Sequence, residues 1–442
     1  MRKPLVAVVG RPNVGKSTFF NKICGKRISI VKDLPGVTRD RIYADAEWCG
    51  FEFTLIDTGG IGLPSGDAFS KHIKQQAEVA IDTADVIVFF VDGKEGLSPD
   101  DNLIAEVLRH TKKPVVLAVN KLDNFQVENT YDFYSLGLGE PFAISCEQSK
   151  GLGDLLDEIV KHFDSRIEFE DTDALKIAVV GKPNVGKSSL VNKILGFERV
   201  IVSDIAGTTR DAIDTPFQFQ GEDFVIIDTA GMRRKRGIED ESVESYGVMR
   251  AISSIGRADV VLIVFDAEDG VSEQDVRIAG LVHETGKPSV IVMNKWDKVE
   301  KDGFTIEKHQ EKLKADLAFM DYFQSIYVSA LSGQRVEKIL TLTKTIHANA
   351  SRRISTGTLN EVIADAVAMN QPSARKSGKR LKIYYATQSS SCPPSFVLFV
   401  NDESLVHFSY KRYLENCFRR AVDFSGTPIQ LHFRNRKEDE KK

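Results

Sequence analysis

Long apolar runs are missing from this 442-residue chain. None approaches the ~20 residues that span a bilayer, so no membrane-crossing helix is expected. Cysteine is scarce: Cys24, Cys49, Cys146, Cys392 and Cys417 are scattered, odd in number and without a C-x-x-C pair. That usage fits reduced thiols in a cytoplasmic protein. The opening MRKPLVAVVG is basic and then apolar, but its apolar part is too short for a signal peptide and flows into a Gly-rich loop. A strong charge of either sign is also lacking, the net value being −4. It is unevenly spread, however. From Glu361 onward there are fourteen Lys/Arg against nine Asp/Glu, while the remainder carries −9. A basic tail on an acidic body points to a polyanionic partner such as RNA, or to an ordinary solvated face. Hydrophobic content of 42% and charged content of 28% fit a soluble globular chain. The length allows about three domains at ~150 residues each.

What the chain has twice is a phosphate loop. GRPNVGKS at 10–17 returns as GKPNVGKS at 181–188, and each fits G-x-x-x-x-G-K-[ST]. Each follows a strand-like run (5–9 and 176–180) and leads into a helical stretch (17–23 and 188–195), the context this motif requires. A shift of 171 residues superposes both loops, and also Thr38 on Thr209, Arg39 on Arg210, Asp40 on Asp211 and Asp57 on Asp228. The offset grows to 174 between NKLD at Asn120 and NKWD at Asn294, and to 184 between SCEQSKG at Ser145 and SALSG at Ser329. A repeat this long is a pair of domains, not a solenoid. Apolar runs alternate with helical stretches at 53–56, 86–91, 115–119 and 142–144, and again at 224–227, 260–265, 289–293 and 326–328. This predicts α/β domains, each a parallel, doubly wound sheet with its ligand at the carboxyl ends of the strands. The expected order is a first domain over 1–164, an acidic linker over 165–174, a second domain over 175–350 and a small α+β module over 351–442. In that module, helices are expected over 359–370 and 409–422. Strands are expected over 381–387, 396–401 and 429–433, the first two separated by a loop holding Pro393 and Pro394.

The repeated residues suit one chemistry. Gly10, Gly15, Gly181 and Gly186 let backbone N–H groups turn inward on a phosphate chain. Lys16 and Lys187 would reach the β- and γ-phosphates. Ser17 and Ser188 would place a hydroxyl on Mg2+, with Thr18 and Ser189 also in the nucleotide-binding set. Asp57 and Asp228 end apolar runs, the place for a carboxylate that holds Mg2+ through water. Gly60 and Gly231 leave the backbone free to approach the γ-phosphate. Thr38 and Thr209 suit a switch that closes on Mg2+ and the γ-phosphate and lets go after hydrolysis. Arg39 and Arg210 read as switch-surface residues in preference to built-in arginine fingers. The carboxylates of Asp123 and Asp297 can accept from the N1–H and 2-amino groups of guanine, whereas adenine has no such pair of donors. Lys121 and Lys295 would lay their stems along the base, and Asn120 and Asn294 would tie loops together. Ser145 and Ser329 begin a loop that would meet guanine O6 through backbone N–H. GTP or GDP with Mg2+ is therefore the expected ligand.

With these motifs the chain resembles the TrmE–Era–Der branch of translation-factor-like GTPases. Two such domains with a small basic tail are similar to the Der (EngA) family. KIYYATQ at 382–388, PPSFVLFVN at 393–401 and HFSYKRYLEN at 407–416 look like that family's KH-like domain, so the resemblance covers essentially the whole chain. It implies GTP hydrolysis in the service of ribosome assembly, with the large subunit and its rRNA as partner. It also implies a cytoplasmic monomer without stable membrane association. It further implies K+ where other GTPases use an arginine finger, held with the help of Asn13 and Asn184. The other reading of those asparagines is loop stabilisation.

Some positions depart from expectation. Ile61 and Met232 stand where many small GTPases place a water-orienting glutamine, so hydrolysis would lean on positioning and charge neutralisation. Cys146 stands where the family usually has alanine. No G-x-x-G loop, the KH clamp for nucleic acid, occurs from Thr358 onward. The tail then either binds RNA by charge and shape or serves as a platform for the GTPase domains. Its aromatics Tyr384, Tyr385, Phe396, Phe399, Phe408, Tyr410 and Tyr413 read as core rather than as a stacking surface. Arg233, Arg234, Lys235 and Arg236 suit either a contact with RNA or the partner domain in one nucleotide state, or a solvated loop. The competing function is a GTP-gated protein- or membrane-binding signalling module. The lack of lipidation motifs and of a long amphipathic basic helix counts against its membrane form. A tRNA-modification GTPase would need a tetrahydrofolate-binding domain or a partner cysteine chemistry that this chain does not show.

Overall fold

Runs of Val, Ile and Phe buried on both faces set the central strands of two sheets. The computed structural model describes residues 4–24, 43–57, 78, 80, 81, 83–123, 127–163, 174–197, 200–202, 214–229, 242–300, 302, 304–372 and 379–435. In the first copy these form β1 (Leu5–Val9), α1 (Lys16–Cys24), β2 (Tyr43–Trp48), β3 (Phe51–Asp57), β4 (Val86–Asp92), α2 (Pro99–Arg109), β5 (Val115–Asn120), β6 (Pro141–Ala143) and α3 (Leu152–Lys161). The sheet order is β2-β3-β1-β4-β5-β6. Along β1 the side chains alternate between two cores. Val6 and Val8 pack with Phe19, Phe20 and Leu155 from α1 and α3, while Ala7 and Val9 pack with Ile104 and Leu108 from α2. This alternation is what winds helices onto both faces. At the start of α2, Ser98 and Asp101 form a capping box, repeated by Ser272 and Asp275 in the second copy.

The second copy supplies β7 (Leu175–Val180), α4 (Lys187–Leu195), β8 (Val200–Val202), β9 (Thr215–Phe219), β10 (Glu222–Ile226), α5 (Ser242–Arg257), β11 (Val260–Asp266), α6 (Glu273–Glu284), β12 (Ser289–Asn294), α7 (Thr305–Asp316), β13 (Gln324–Tyr327) and α8 (Glu337–Ala350). Its order, β13-β12-β11-β7-β10-β9-β8, repeats the first sheet and adds β8 at one edge. The chain divides into two compact units, Met1–Thr172 with Ile238–Gly256, and Asp173–Gly237 with Arg257–Lys442.

The expected parallel pairing holds for the central strands, but β2 runs antiparallel to β3, and β9 to β10. The reason is local. Cys49 and Gly50 have φ of 48° and 86°, and Gln220 and Gly221 have φ of 55° and 82°. Two consecutive left-handed residues make a two-residue hairpin, which joins only antiparallel strands.

The third region is α9 (Thr356–Met369), β14 (Ile383–Ser391), β15 (Pro394–Val400), α10 (Phe408–Ala421) and β16 (Gln430–Asn435). β15 pairs antiparallel with β14 and parallel with β16. The expected loop around Pro393 and Pro394 shrinks to a tight turn, because Pro394 already belongs to β15. Phe396 and Tyr410 are buried, and the Tyr410 and Tyr413 hydroxyls donate to the carbonyls of Asn370 (3.0 Å) and Ala366 (2.8 Å). Tyr384, Tyr385 and Phe408 are exposed, contrary to the core reading, and Tyr385 stacks on Phe399 at 4.5 Å.

This module braces the second sheet. The Ser289 N–H, at the first residue of β12, donates to the Gly426 carbonyl, and the Gly426 N–H donates to the Tyr322 carbonyl, both at 2.8 Å. The Arg419 guanidinium lies 4.9 Å from the Tyr322 ring centre and donates to the carbonyls of Phe424 and Thr427. Gly426 is left-handed (φ 74°), and a Cβ there would approach Ile346 Cδ1 to 2.5 Å. Gly426→Ala is therefore expected to destabilise this unit by about 1–3 kcal/mol. The urea midpoint and faster hydrogen exchange at the Ser289 amide would report it; unchanged values of both would remove Gly426 as the brace.

Candidate nucleotide-binding sites

β1 and β7 each release the chain into a phosphate loop at their carboxyl ends. Gly15 (φ 99°) and Gly186 (φ 90°) are left-handed, and a Cβ on either would collide with the Nδ2 atom of Asn120 or Asn294. Gly10 and Gly181 run close beneath the carbonyls of Phe90 and Val264. Lys16 and Lys187 open α1 and α4, whose N-terminal N–H groups face the loop. The Lys16 ammonium donates to the carbonyls of Gly10 and Arg11, both at 2.6 Å. That of Lys187 donates to Gly181 (2.7 Å) and Lys182 (2.6 Å). Thr18 and Ser189 are exposed in the first turns of their helices. Asn13 and Asn184 are left-handed (φ 64° and 65°) and exposed.

The surroundings of Asp57 and Asp228 differ between the copies. In the first, Ser17 Oγ donates to Asp57 Oδ2 at 2.7 Å, and Asp57 is the buried last residue of β3. In the second, β10 stops at Ile226, and Asp228 is left-handed at φ 58°. The Asp228 N–H donates to Asp214 Oδ1 at 3.0 Å, and Asp214 is ion-paired with Arg257. Ser188 is exposed at the start of α4.

The base loops repeat one frame. Asn120 Nδ2 donates to the Val14 carbonyl (2.7 Å), and its Oδ1 accepts from the Cys146 N–H (2.9 Å). Asn294 does the same with Val185 (2.8 Å) and Ala330 (3.0 Å). Each carboxamide thereby joins the phosphate loop to the loop beginning at Ser145 or Ser329. Lys121 and Lys295 are left-handed, and their ammonium groups lie 2.5 Å from Asp92 and Asp266. Burial would raise those two carboxyls, but the lysines and neighbouring backbone N–H groups outweigh it and hold both below the usual carboxylate range. Asp123 accepts from Ser145 Oγ at 2.8 Å and from Lys94 at 2.5 Å. Asp297 is exposed and, among the described residues, its side chain accepts no hydrogen bond.

Sequence reasoning passed over the loop after β4. There Asp92 holds Lys121, and Glu95 holds Arg11 of the phosphate loop at 2.6 Å. After β11, Asp266 holds Lys295, and Lys182 lies 3.3 Å from Asp275. The signal was available, since DGKEG at 92–96 and DAEDG at 266–270 repeat at the same 174-residue offset as the NK-x-D segments. Thr38, Thr209, Gly60 and Gly231 lie outside the described residues, as do Arg39, Arg210, Ile61, Met232 and 233–236.

Two sheets of this order, each carrying a phosphate loop and a base loop at the carboxyl ends of its strands, define a tandem pair of P-loop GTP-binding domains. The family described as 50S ribosome-binding GTPase matches residues 5–121 and 176–295. The family described as the C-terminal KH-domain-like region of EngA bacterial GTPase enzymes matches residues 353–434. GTPase Der of Agathobacter rectalis is 55% identical over 443 residues, covering 100% of both chains. GTPase Der of Clostridium perfringens is 54% identical over 440 residues, covering 99% of this chain and 100% of its own. The crystal structure of Era with MgGDPNP and a 16S ribosomal RNA segment overlaps 59% of this chain and 92% of its own at 23% identity. Its TM-score is 0.30, a likeness too slight to add to fold or function. The chain belongs to the Der (EngA) family of GTPases, with two GTP-binding switch domains and a KH-like tail.

Burial pushes the Lys16 ammonium down to about 8 from 10.5, with Asp57 pulling the other way. A bound phosphate chain restores the charge. Binding at the first site is thus expected to take up a proton between pH 8 and 10.5 and to weaken up to about tenfold per pH unit. Calorimetry of GDP binding to a Lys187→Ala chain at about pH 8.5, where guanine N1–H stays largely protonated, in buffers of different ionisation enthalpy, measures this. Zero uptake would mean that the free protein already keeps Lys16 charged.

Proposed function

We propose that this chain is a Mg2+-dependent, K+-stimulated GTPase whose GTP-bound form joins the large ribosomal subunit and its rRNA during maturation. The observation that carries this reading is the match of both sheet domains to the family described as 50S ribosome-binding GTPase. Full-length identity to relatives named GTPase Der and the basic tail support it. The working units are 1–164, 175–350 and the KH-like module 351–442, with 165–174 as linker. The protein acts as a cytoplasmic monomer without stable membrane association. No helix of the described residues is long and apolar enough to cross a membrane.

In each site the phosphate loop cradles the phosphates, and Lys16 or Lys187 neutralises charge that builds on them. Ser17 with Asp57, and Ser188 with Asp228, form oxygen sets that suit Mg2+. The Ser17 Oγ to Asp57 Oδ2 hydrogen bond, 2.7 Å long, brings together a hydroxyl that would meet Mg2+ directly and a carboxylate that would hold it through water. Bound there, Mg2+ supplies charge neutralisation at phosphate oxygens. Asn13 and Asn184 offer exposed carboxamide oxygens to K+. Asp123 and Asp297 read the guanine edge. Thr38 and Thr209, with Gly60 and Gly231, close on the γ-phosphate and let go after hydrolysis.

Pelleting with purified large and small subunits, in GTP analogue, in GDP and without nucleotide, tests the partner. Retention on large subunits in the analogue alone is expected; absence from that fraction in every state would overturn the ribosomal reading. GTPase rates in K+ and Na+ at matched ionic strength test the ion, and equal rates would remove it.

A further inference from the structure

The two base loops differ at one matched position. In DGKEG it holds Lys94, and in DAEDG it holds Glu268. Lys94 lies 2.5 Å from Asp123 Oδ2, while Ser145 Oγ donates to Oδ1 at 2.8 Å, so both oxygens of this carboxylate are engaged. The same two groups, Lys94 foremost, hold the Asp123 carboxyl below the usual carboxylate range. Glu268 cannot fill that place. It pairs instead with Lys298 at 3.0 Å. Asp297 is exposed and, among the described residues, has no hydrogen-bond donor on its carboxylate.

We propose that Lys94 is a specificity-determining residue. By competing for one oxygen of Asp123 it weakens the first site's preference for the guanine 2-amino group, and Glu268 leaves the second site's preference at full strength. This rests on the reading that Asp123 and Asp297 face guanine. A carboxylate oxygen already holding an ammonium must give it up before accepting from the 2-amino group, whereas an exposed oxygen exchanges only water. The latch is surface-exposed, Lys94 at 61% and Asp123 at 25%, so its effect is modest and is screened by salt.

The test compares GDP with IDP, which lacks the 2-amino group but carries the same phosphates. Any long-range pull of Lys94 on the phosphates then cancels in the ratio of affinities. The full chain is used, with Lys187→Ala silencing the second site or Lys16→Ala the first. Lys94→Ala is expected to raise the GDP/IDP ratio at the first site roughly two- to fivefold at low ionic strength. High salt should raise the ratio of the Lys94 form toward the same value. Glu268→Lys is expected to lower the ratio at the second site by a similar factor. Asp123→Ala should bring the first-site ratio close to one. If it does so while Lys94→Ala changes nothing, the proposal is overturned and the guanine reading stands. If Asp123→Ala leaves the ratio unchanged, the guanine reading itself fails and takes the proposal with it.

Discussion

One side-chain amide in each copy joins the phosphate loop to the base loop. Asn120 and Asn294 stand at the last residues of β5 and β12, each bonded on one side to the phosphate loop and on the other to the loop that follows the next strand. The amide fits because Gly15 and Gly186 leave its space empty. Both carboxamide ends are buried and satisfied, so losing either partner would strand a polar group away from water. Segments more than a hundred residues apart in sequence are thereby held to one geometry, and the lysines, serines and aspartates of each site take their places from it.

Around that shared frame the copies have drifted. The first sets Asp57 at a strand end against a serine hydroxyl; the second carries the matching Asp228 through a left-handed turn beside an Asp214–Arg257 pair. Such changes cost little, because they lie in loops at the rim of sheets whose cores are repeated almost strand for strand.

Much of this was legible beforehand because it is local or repeated. Phosphate loops, NK-x-D segments and buried strands are written in consecutive residues, and the duplication removed the ambiguity of any single motif. The hairpins at Cys49–Gly50 and Gln220–Gly221 were missed although x-Gly turns are a local signal; the apolar runs drew attention to the strand after each turn and away from the more polar strand before it. Asp92 and Asp266 were missed because an aspartate closing an apolar strand looks unremarkable until the lysine it holds is seen. The exposed Tyr384 and Tyr385 could not be told from core residues, since consecutive strand residues ordinarily face opposite ways and the pairing is irregular between Ile383 and Tyr385. The bond from Ser289 to Gly426 joins residues far apart in sequence and left no pattern to read.

That bond has a mechanical meaning. β12 begins at Ser289, where the tail grips it, and ends at Asn294, where the nucleotide loops grip it. A six-residue strand is about 20 Å of chain already close to full extension. Such a segment has no slack to take up. The tail at one end and the loops of Val185 and Ala330 at the other are therefore held a fixed distance apart, with β11 and β13 bonded along both sides of the strand between them.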